Sequence, residues 1–217
     1  MSEPRKPDVY VAIPTVRDWK REFGVSMVGL SIHLCKLSRQ GVIKGFRFDN
    51  HQTSNLPKLR QKMLDSALAS GCTHILFIDD DQSFPPECLD IMLKKDKPWL
   101  VANICKKDGS GWIASYGEGR KVDSTGKTGC EQIATMGLGF ALINLDAIRH
   151  IPKPHFEMVW MESAGEYMGE DIYFNLKAKH SGVEIWVDHD ASNLITHIGN
   201  YGFGAHDFAV PRVEAAA

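Results

Sequence analysis

Residues 74–86 read HILFIDDDQSFPP, an apolar run that ends in three consecutive carboxylates and two prolines. The apolar run Ile75–Ile78 predicts a strand, and prolines suit the first turn of a following helix. Neighbouring carboxylates raise the free-energy cost of ionising one another. The triplet Asp79, Asp80 and Asp81 therefore predicts a positively charged group close to the end of this strand.

The alternation of short strands and helices continues on both sides of this segment. Such alternation over short connections is typical of βαβ units and of a mostly parallel sheet in one domain. Residues 106–130 are rich in Gly, Lys and Ser and predict loops or a small antiparallel hairpin, while 152–169 has no regular pattern. The predicted strands cover 9–13, 42–48, 75–78, 99–104, 136–145 and 183–188, and the predicted helices cover 27–37, 57–70, 83–95, 146–151 and 170–181.

The composition is that of an ordinary globular protein, with 217 residues, 43% hydrophobic and 24% charged. Lys and Arg number 25 against 27 for Asp and Glu, so the net charge of −2 provides no general attraction to nucleic acid or anionic lipid. The five cysteines contain no CxxC pair, which argues against a disulfide framework and a zinc cluster. The first residues lack an apolar signal segment, and we expect a cytoplasmic protein with no membrane partner.

The carboxylates of the triplet lie at the edge of the sheet where open α/β folds bind their ligands. Side chains alternate along an extended chain, so Asp79 and Asp81 can point to one side together while Asp80 points to the other. Two convergent carboxylates suit Mg²⁺ or Mn²⁺, which commonly takes further ligands from substrate phosphates. Alternatively, the aspartates cap the following helix and stabilise its dipole.

Two later segments add candidate groups to this edge. Glu170 and Asp171 begin a predicted helix after Gly169, and His197 lies in the segment ITHIG. An imidazole as third ligand would favour manganese. The alternatives are that the acidic pair only stabilises the helix dipole and that the histidine is a core residue.

The order of these parts resembles the nucleotide-sugar glycosyltransferases of the GT-A fold, especially the small family-two-like enzymes of bacteria and phages. The resemblance implies a Rossmann-like three-layer α/β sandwich with a central, mostly parallel sheet and a small antiparallel element. It further implies a nucleotide-binding half over 1–105, an acceptor half over 106–198, and a tail over 199–217 that acts as a lid. The segments that carry it are VYVAIPTV (9–16), LRQKMLDSALASGCTHILFIDDD (59–81), which ends in the DxD motif, FPPECLDIML (84–93), GLGFALI (137–143), the acidic pair and THIG (196–199).

For the donor, the resemblance implies that Asp81 binds the metal, that Asp79 contacts the metal or the ribose, and that His197 completes the metal shell. Asp80 is expected beside the donor. Arg60 matches the arginine of the family's Arg-Asn pair, which faces the nucleotide-sugar, whereas glutamine replaces the asparagine at position 61. Thr15 and Arg17 lie where the first strand of the family meets the nucleobase.

For the reaction, the resemblance implies a hexosyl- or pentosyltransferase. A divalent ion stabilises the charge on the departing diphosphate, and a carboxylate accepts the proton of the acceptor hydroxyl. Asp171 is the expected base and Glu170 its substitute. In an enzyme that retains configuration, the leaving phosphate takes that proton instead and the acidic pair binds sugar hydroxyls.

We therefore expect a transferase that uses Mn²⁺ or Mg²⁺ and a UDP-sugar. The acceptor is a glycan, a small molecule or a hydroxylated base of phage DNA. A non-catalytic nucleotide-sugar-binding module remains an alternative. A nucleotidyltransferase is a weaker one, because PTVRDWKREFG (14–24) contains no Gly-rich phosphate loop. Acceptor-side candidates are the aromatic residues Trp112, Tyr116 and Trp160, with core packing as their alternative role, and the basic residues Lys106, Lys107, Arg120 and Lys121, which would suit an anionic acceptor.

Overall fold

The computed structural model describes residues 5–16, 18–199 and 202–203, the last two by their backbone alone. The helices are α1 (Arg21–Arg39), α2 (Leu56–Ala69), α3 (Cys88–Lys94), α4 (Leu145–Ile148), α5 (Glu170–His180) and α6 (His189–Ser192). The strands are β1 (Asp8–Thr15), β2 (Gly45–Gln52), β3 (His74–Ile78), β4 (Gln82–Ser83), β5 (Trp99–Ala102), β6 (Ser115–Gly117), β7 (Arg120–Lys121), β8 (Cys130–Ile133), β9 (Phe140–Asn144), β10 (Val159–Met161), β11 (Glu166–Met168), β12 (Ile185–Asp188), β13 (Thr196–Ile198) and β14 (Gly202–Phe203).

The centre of the molecule is a seven-stranded sheet in the order β2-β1-β3-β9-β5-β12-β8. Strands β2, β1 and β3 are parallel, and so are β5 and β12, while β9 and β8 pair antiparallel with their neighbours. All eight residues of β1 are buried, so the sheet is covered on both faces at this strand. The predicted fold class, an α/β sandwich with a central, mostly parallel sheet, is confirmed.

Aromatic side chains tie α5 to the sheet. The ring of Phe156 lies between Phe77 of β3 and Phe174 of α5, with ring centroids 6.0 and 4.8 Å away. Phe174 also contacts Trp99 of β5, at 4.7 Å between ring centroids. Phe77, Phe174 and Trp99 are fully buried. This packing fixes α5 relative to β5 and to β3, the strand that carries the acidic triplet.

The predicted strand over 42–48 begins and ends too early. Helix α1 ends in a Schellman motif, in which Gly41 N–H donates to Ser38 and Val42 N–H donates to the Leu37 carbonyl. Gly41 has a φ of +67°, the left-handed conformation that this motif requires. Val42 therefore belongs to the helix cap, and β2 continues to Gln52 because it pairs with β1 along its whole length.

The irregular segments differ in how well the sequence predicted them. The hairpin of β6 and β7 confirms the small antiparallel element expected within 106–130. Residues 152–169, expected to be irregular, instead contain the hairpin of β10 and β11. The predicted strand over 136–145 is shorter, since Gly137 and Gly139 precede β9.

A three-stranded sheet that the sequence did not predict completes the described part. In it the two-residue strand β4 pairs antiparallel with β13, and β13 pairs with β14. The pairing brings His197 opposite Gln82, the residue after the acidic triplet. Among the described residues, no helix is long and apolar enough to cross a membrane.

Candidate active site

The acidic triplet lies at the carboxyl end of β3, as predicted. Asp79 N–H donates to the Gly139 carbonyl at 2.9 Å, which holds the start of the triplet against the segment before β9. A Cβ atom at Gly139 would lie 2.6 Å from Ile104 Cδ1, 3.3 Å from Gln82 Nε2 and 3.5 Å from Asp79 Oδ2. The close approach of these groups therefore requires a glycine at position 139.

Arg60 of α2 is the positive group closest to the first aspartate. Its side chain is 3% exposed, and it donates from Nη2 to Asp79 Oδ1 at 2.7 Å and from Nη1 to Glu170 Oε1 at 2.5 Å. We call Arg60, Asp79 and Glu170 the Arg60 cluster. Arg60 Nε has no hydrogen-bond partner among the described residues. The guanidinium thus joins the end of β3 to the start of α5.

Asp171 follows Glu170 in the first turn of α5. Its Oδ1 accepts from the Ile172 N–H at 2.7 Å. A Cβ at Gly137 would lie 3.3 Å from Asp171 Oδ2, and one at Gly169 would lie 2.8 Å from Asp171 Oδ1. Two glycines, distant in sequence, therefore leave the space that this carboxylate occupies.

Asn175 holds this part of α5 in place. Its amide nitrogen donates to the Asp171 carbonyl at 2.5 Å, and its amide oxygen accepts from the Met136 N–H at 2.9 Å. Asn175 is buried, and so is its hydrogen bond with Met136, while the one with Asp171 is partly buried. The contact fixes the first turn of α5 against the segment that contains Gly137.

Burial and neighbouring charges act differently on the pKa values of Asp171 and Arg60. Burial raises the pKa of Asp171, and the negative charge of Glu170 adds to this effect, against the opposing influence of Arg60. Burial alone would lower the pKa of Arg60, but the charges of Asp79, Glu170 and Asp171 raise it. Arg60 therefore stays charged, while Asp171 holds its proton more strongly than an ordinary aspartate.

A second group, which we call the Asp81 cluster, consists of Asp81, Lys107 and His197. The Lys107 ammonium forms a short ion pair with Asp81 Oδ2, and His197 Nε2 lies 3.5 Å from Asp81 Oδ1. Gln82 Nε2 donates to the same Oδ1 at 3.1 Å. Burial favours the protonated carboxyl, but the hydrogen bonds from His197 and Lys107 outweigh it and lower the pKa of Asp81 to about 2.

The orientation of the His197 ring is set by the backbone. Its Nδ1 lies 2.6 Å from the Cys105 carbonyl, which can only accept, so Nδ1 carries a hydrogen. In the neutral imidazole this leaves the lone pair on Nε2, the atom near Asp81, whereas the hydrogen bond from His197 to Asp81 requires the imidazolium, which carries a hydrogen on Nε2 as well. Histidine ligands of metals are commonly oriented by such a hydrogen bond.

These residues fit a divalent cation only in part. Asp81 and His197 supply a carboxylate and an oriented imidazole, whereas Asp79 is paired with Arg60. Within the described ranges, no group of three or more His, Cys, Asp or Glu side chains is arranged to hold a metal ion. The pair suits an ion that takes its other ligands from water and phosphate, and the metal set Asp79, Asp81 and His197 stays a prediction.

Asp80 and Thr15 lie beside each other at the ends of β3 and β1. Burial, with the charges of Asp81 and Asp79, raises the pKa of Asp80 to about 6, although its carboxylate accepts from the Val16 N–H. Asp80 Oδ2 has no hydrogen-bond partner in the described part of the chain. The Thr15 hydroxyl accepts from Asn50 Nδ2 at 2.8 Å and from Trp19 Nε1 at 3.2 Å. Arg17, the other predicted nucleobase contact, lies outside the described residues.

The aromatic candidates for the acceptor side have separate environments. Trp112 is 6% exposed and belongs to the interior. The Tyr116 hydroxyl donates to Glu131 at 2.6 Å, and the Arg120 guanidinium lies 5.7 Å from its ring centroid. Trp160 is 46% exposed, so it is the candidate with a ring open to a ligand.

Four groups of the site were not predicted in their present roles. Sequence reasoning placed Lys107 in a basic loop without linking it to Asp81, and it did not consider Asn50, Gln82 or the Cys105 carbonyl. The acidic triplet predicted a nearby cation, and this prediction could have pointed to Lys107 as the partner of Asp81. Gln61, at the position of the family's asparagine, binds the backbone and ring of His155 instead, at 2.7 and 3.0 Å.

Comparison with known proteins bears on the fold. No protein-family model and no curated protein sequence matches the chain. Among solved structures, A197 from STIV is 13% identical, with a TM-score of 0.62 over 92% of this chain and 91% of that one. S. aureus TarS 1-349, in complex with UDP-GlcNAc, is 14% identical, with a TM-score of 0.51 over 92% of this chain but only 60% of that one. At these identities the likeness shows the fold alone, and it agrees with the GT-A-like fold that the sequence predicts.

Proposed function

We propose that this chain is a glycosyltransferase that moves a sugar from a nucleoside diphosphate donor, a UDP-sugar, to a hydroxyl of an acceptor. The observation that carries the proposal is the double ion pair of Arg60, with Asp79 at the end of β3 and Glu170 at the start of α5. It supports the proposal because one guanidinium joins Asp79 to Glu170, the residue next to the proposed base Asp171. The likeness to TarS, whose structure contains UDP-GlcNAc, supports the choice of donor.

Residues 1–105 supply most of the donor side in this proposal, and residues 106–198 the acceptor side. Asp81 and His197 would hold Mn²⁺ or Mg²⁺ in place of the Lys107 ammonium, because the carboxylate and the imidazole Nε2 lie together and the imidazole is already oriented. When bound, such an ion acts as a Lewis acid on the diphosphate leaving group. Asp80 Oδ2 is buried and lacks a partner among the described residues, and we assign it to a hydroxyl of the donor.

Asp171 accepts the proton of the acceptor hydroxyl. Its raised pKa gives it a stronger affinity for that proton than an ordinary aspartate has. Glu170 is less suited to this role, since its Oε1 is paired with Arg60. Arg60 and Glu170 instead position the first turn of α5.

The test of the donor site measures thermal unfolding with UDP and MnCl₂, separately and together. We expect the largest stabilisation with both, since a ligand at 100 times its Kd adds about 2.7 kcal/mol to the free energy of unfolding. Asp81→Asn should abolish the manganese-dependent part of this stabilisation. Asp108→Asn is the matched control, because Asp108 is an exposed aspartate of the neighbouring loop.

The second measurement distinguishes an enzyme from a binding module. A transferase commonly hydrolyses its donor slowly in the absence of acceptor, so we expect UDP release from UDP-sugars that Asp81→Asn greatly reduces. Stabilisation by UDP without any turnover would favour the non-catalytic module. If no nucleoside diphosphate stabilises the protein, with or without manganese, the glycosyltransferase proposal is wrong.

A further inference from the structure

The hairpin formed by β10 and β11, residues 159–168, presents an exposed aromatic pair. Trp160 and Tyr167 are directly opposite in the antiparallel register, so their side chains lie on the same face. Their ring centroids are 5.1 Å apart in a T-shaped contact. Trp160 is 46% and Tyr167 61% exposed, and Met158, which precedes the hairpin, is 52% exposed. We call these three residues the aromatic face.

The root of the hairpin is fixed beside the proposed base. On one side, buried His155 and Phe156 anchor the chain, the latter through its contacts with Phe77 and Phe174. On the other side, only Met168 and two further residues separate Tyr167 from Asp171. Four residues span at most about 14 Å, so Tyr167 lies within that distance of the proposed base.

The charged side chains of the segment that contains the aromatic face, residues 154–176, are all acidic. Between Lys153 and Lys177 the chain contains no lysine or arginine, while Glu157, Glu162 and Glu166 are all exposed. Proteins that stack nucleic-acid bases combine aromatic rings with a basic groove that follows the phosphates. An acidic surround repels such a polyanion and anionic lipid headgroups.

We propose that the aromatic face binds the neutral saccharide portion of the acceptor. Aromatic rings offer a flat apolar surface with a negatively charged face, to which the C–H groups of a sugar ring are attracted. The flanking carboxylates can accept hydrogen bonds from sugar hydroxyls. This inference rests on the proposed function, and it selects a glycan over a phosphorylated or nucleic-acid acceptor.

The test measures binding of saccharides to the full chain by isothermal titration calorimetry. The probes are maltohexaose, cellohexaose and chitohexaose, with the oligonucleotide (dT)12 as the anionic counterpart, each with and without UDP and MnCl₂. We expect at least one saccharide to bind and (dT)12 not to bind. Trp160→Ala and Tyr167→Ala should each weaken saccharide binding at least tenfold, and Trp160→Phe should weaken it less, since it keeps a ring.

Val28→Ala is the matched control, because Val28 is equally exposed but lies on α1. It should not change saccharide affinity, and circular dichroism melting checks that all variants fold. The proposal is overturned if no saccharide binds, if the alanine variants bind as the wild type does, or if (dT)12 binds and Trp160→Ala abolishes that binding. Failure of UDP to stabilise the wild type would instead contradict the proposed function, since the calorimetry of saccharides alone does not depend on the donor.

Discussion

The Arg60 cluster and the Asp81 cluster each neutralise one carboxylate of the same acidic triplet, but they do so differently. Arg60 is 3% exposed and bridges two carboxylates with its planar guanidinium. Lys107 is 51% exposed and pairs with one carboxylate that also faces a histidine. A guanidinium held in two ion pairs fixes geometry, whereas a flexible, hydrated ammonium is easily replaced. The comparison indicates that the Arg60 cluster is a rigid, structural half of the site and that the Asp81 cluster is an exchangeable half, whose cation can be replaced. The two aspartates concerned, Asp79 and Asp81, are only two residues apart.

The most severe test of this contrast is Arg60→Met. The variant leaves Asp79 and buried Glu170 without their cation, and breaking a buried ion pair by removing one partner costs about 3–5 kcal/mol. We expect the free energy of unfolding in urea to fall by that amount. Lys107→Met is the matched control and should cost at most about 1 kcal/mol, as for exposed ion pairs.

A double variant shows how much of the stability lost in Arg60→Met comes from the unpaired charges of Asp79 and Glu170 and how much from other effects of losing Arg60. Adding Glu170→Gln to Arg60→Met removes one of the two stranded carboxylates, so it should recover part of the lost stability. Equal destabilisation by Arg60→Met and Lys107→Met would contradict the distinction between a rigid and an exchangeable cluster.

Gly139→Ala tests whether the close packing between the Arg60 cluster and the Asp81 cluster requires a glycine at position 139. The added methyl would lie 2.6 Å from Ile104 Cδ1 and 3.3 Å from Gln82 Nε2, the group that donates to Asp81. Overpacking of this kind costs about 1–3 kcal/mol. The measurement is again urea unfolding.

Ile104→Val provides the control for this variant, because it removes the one atom that the new methyl meets most closely. The double variant Gly139→Ala with Ile104→Val should regain most of the stability lost by Gly139→Ala. No recovery would place the conflict at Gln82 or the backbone instead.

The sequence predicted the residues of the rigid half but not the ion pairs that join them, for physical reasons. Asp79 to Asp81 follow an apolar run that is visible locally, and Gly169 marks the start of α5. Arg60 was predicted to face the donor, but its partner Glu170 is 110 residues away, and no local pattern encodes that distance. Hydrophobic periodicity predicts which face of α2 is buried, not which charges meet there.

The exchangeable half depends on elements too short for periodicity to reveal. His197 reaches Asp81 through the pairing of β13 with β4, a strand of two residues. Lys107 lies in a loop, where no repeat constrains the side chain. Val42 shows the same limit, since its place in a helix cap depends on hydrogen bonds and not on its strong preference for strands.

Asp171→Asn tests whether burial destabilises the charged form of Asp171, the proposed base. Burial raises the pKa of Asp171, so the folded protein keeps this proton at pH values where the unfolded chain has lost it. Its contribution to the free energy of unfolding therefore falls as pH rises above 3.8, the ordinary pKa of an aspartate. The asparagine variant avoids this loss and retains an acceptor for the Ile172 N–H. We expect it to be more stable than the wild type at pH 7.5, while transfer activity is lost.

The pH dependence of the difference in stability between the variant and the wild type is the control for this prediction. The stability difference between Asp171→Asn and the wild type should be smaller at pH 4 than at pH 7.5, as measured by urea unfolding at both values. Asp18→Asn, at an exposed position, should show no such trend. A variant that is less stable than the wild type at pH 7.5 would mean that Arg60 stabilises the charged form of Asp171 more than burial opposes it.

The smallest expected effect concerns Lys107→Met and the cation that Asp81 would bind. If the ammonium and a divalent ion compete for Asp81, removing the lysine should strengthen manganese binding in the presence of UDP by roughly fivefold, the equivalent of about 1 kcal/mol. Calorimetric titration of MnCl₂ measures this, with Lys106→Met as the control that removes the same charge from the adjacent residue. If Lys107→Met weakens binding more than Lys106→Met does, Lys107 contacts the diphosphate and does not merely compete with the ion. The cation of the Asp81 cluster would then not be exchangeable, because Lys107 would bind the phosphate and a metal ion could not take its place.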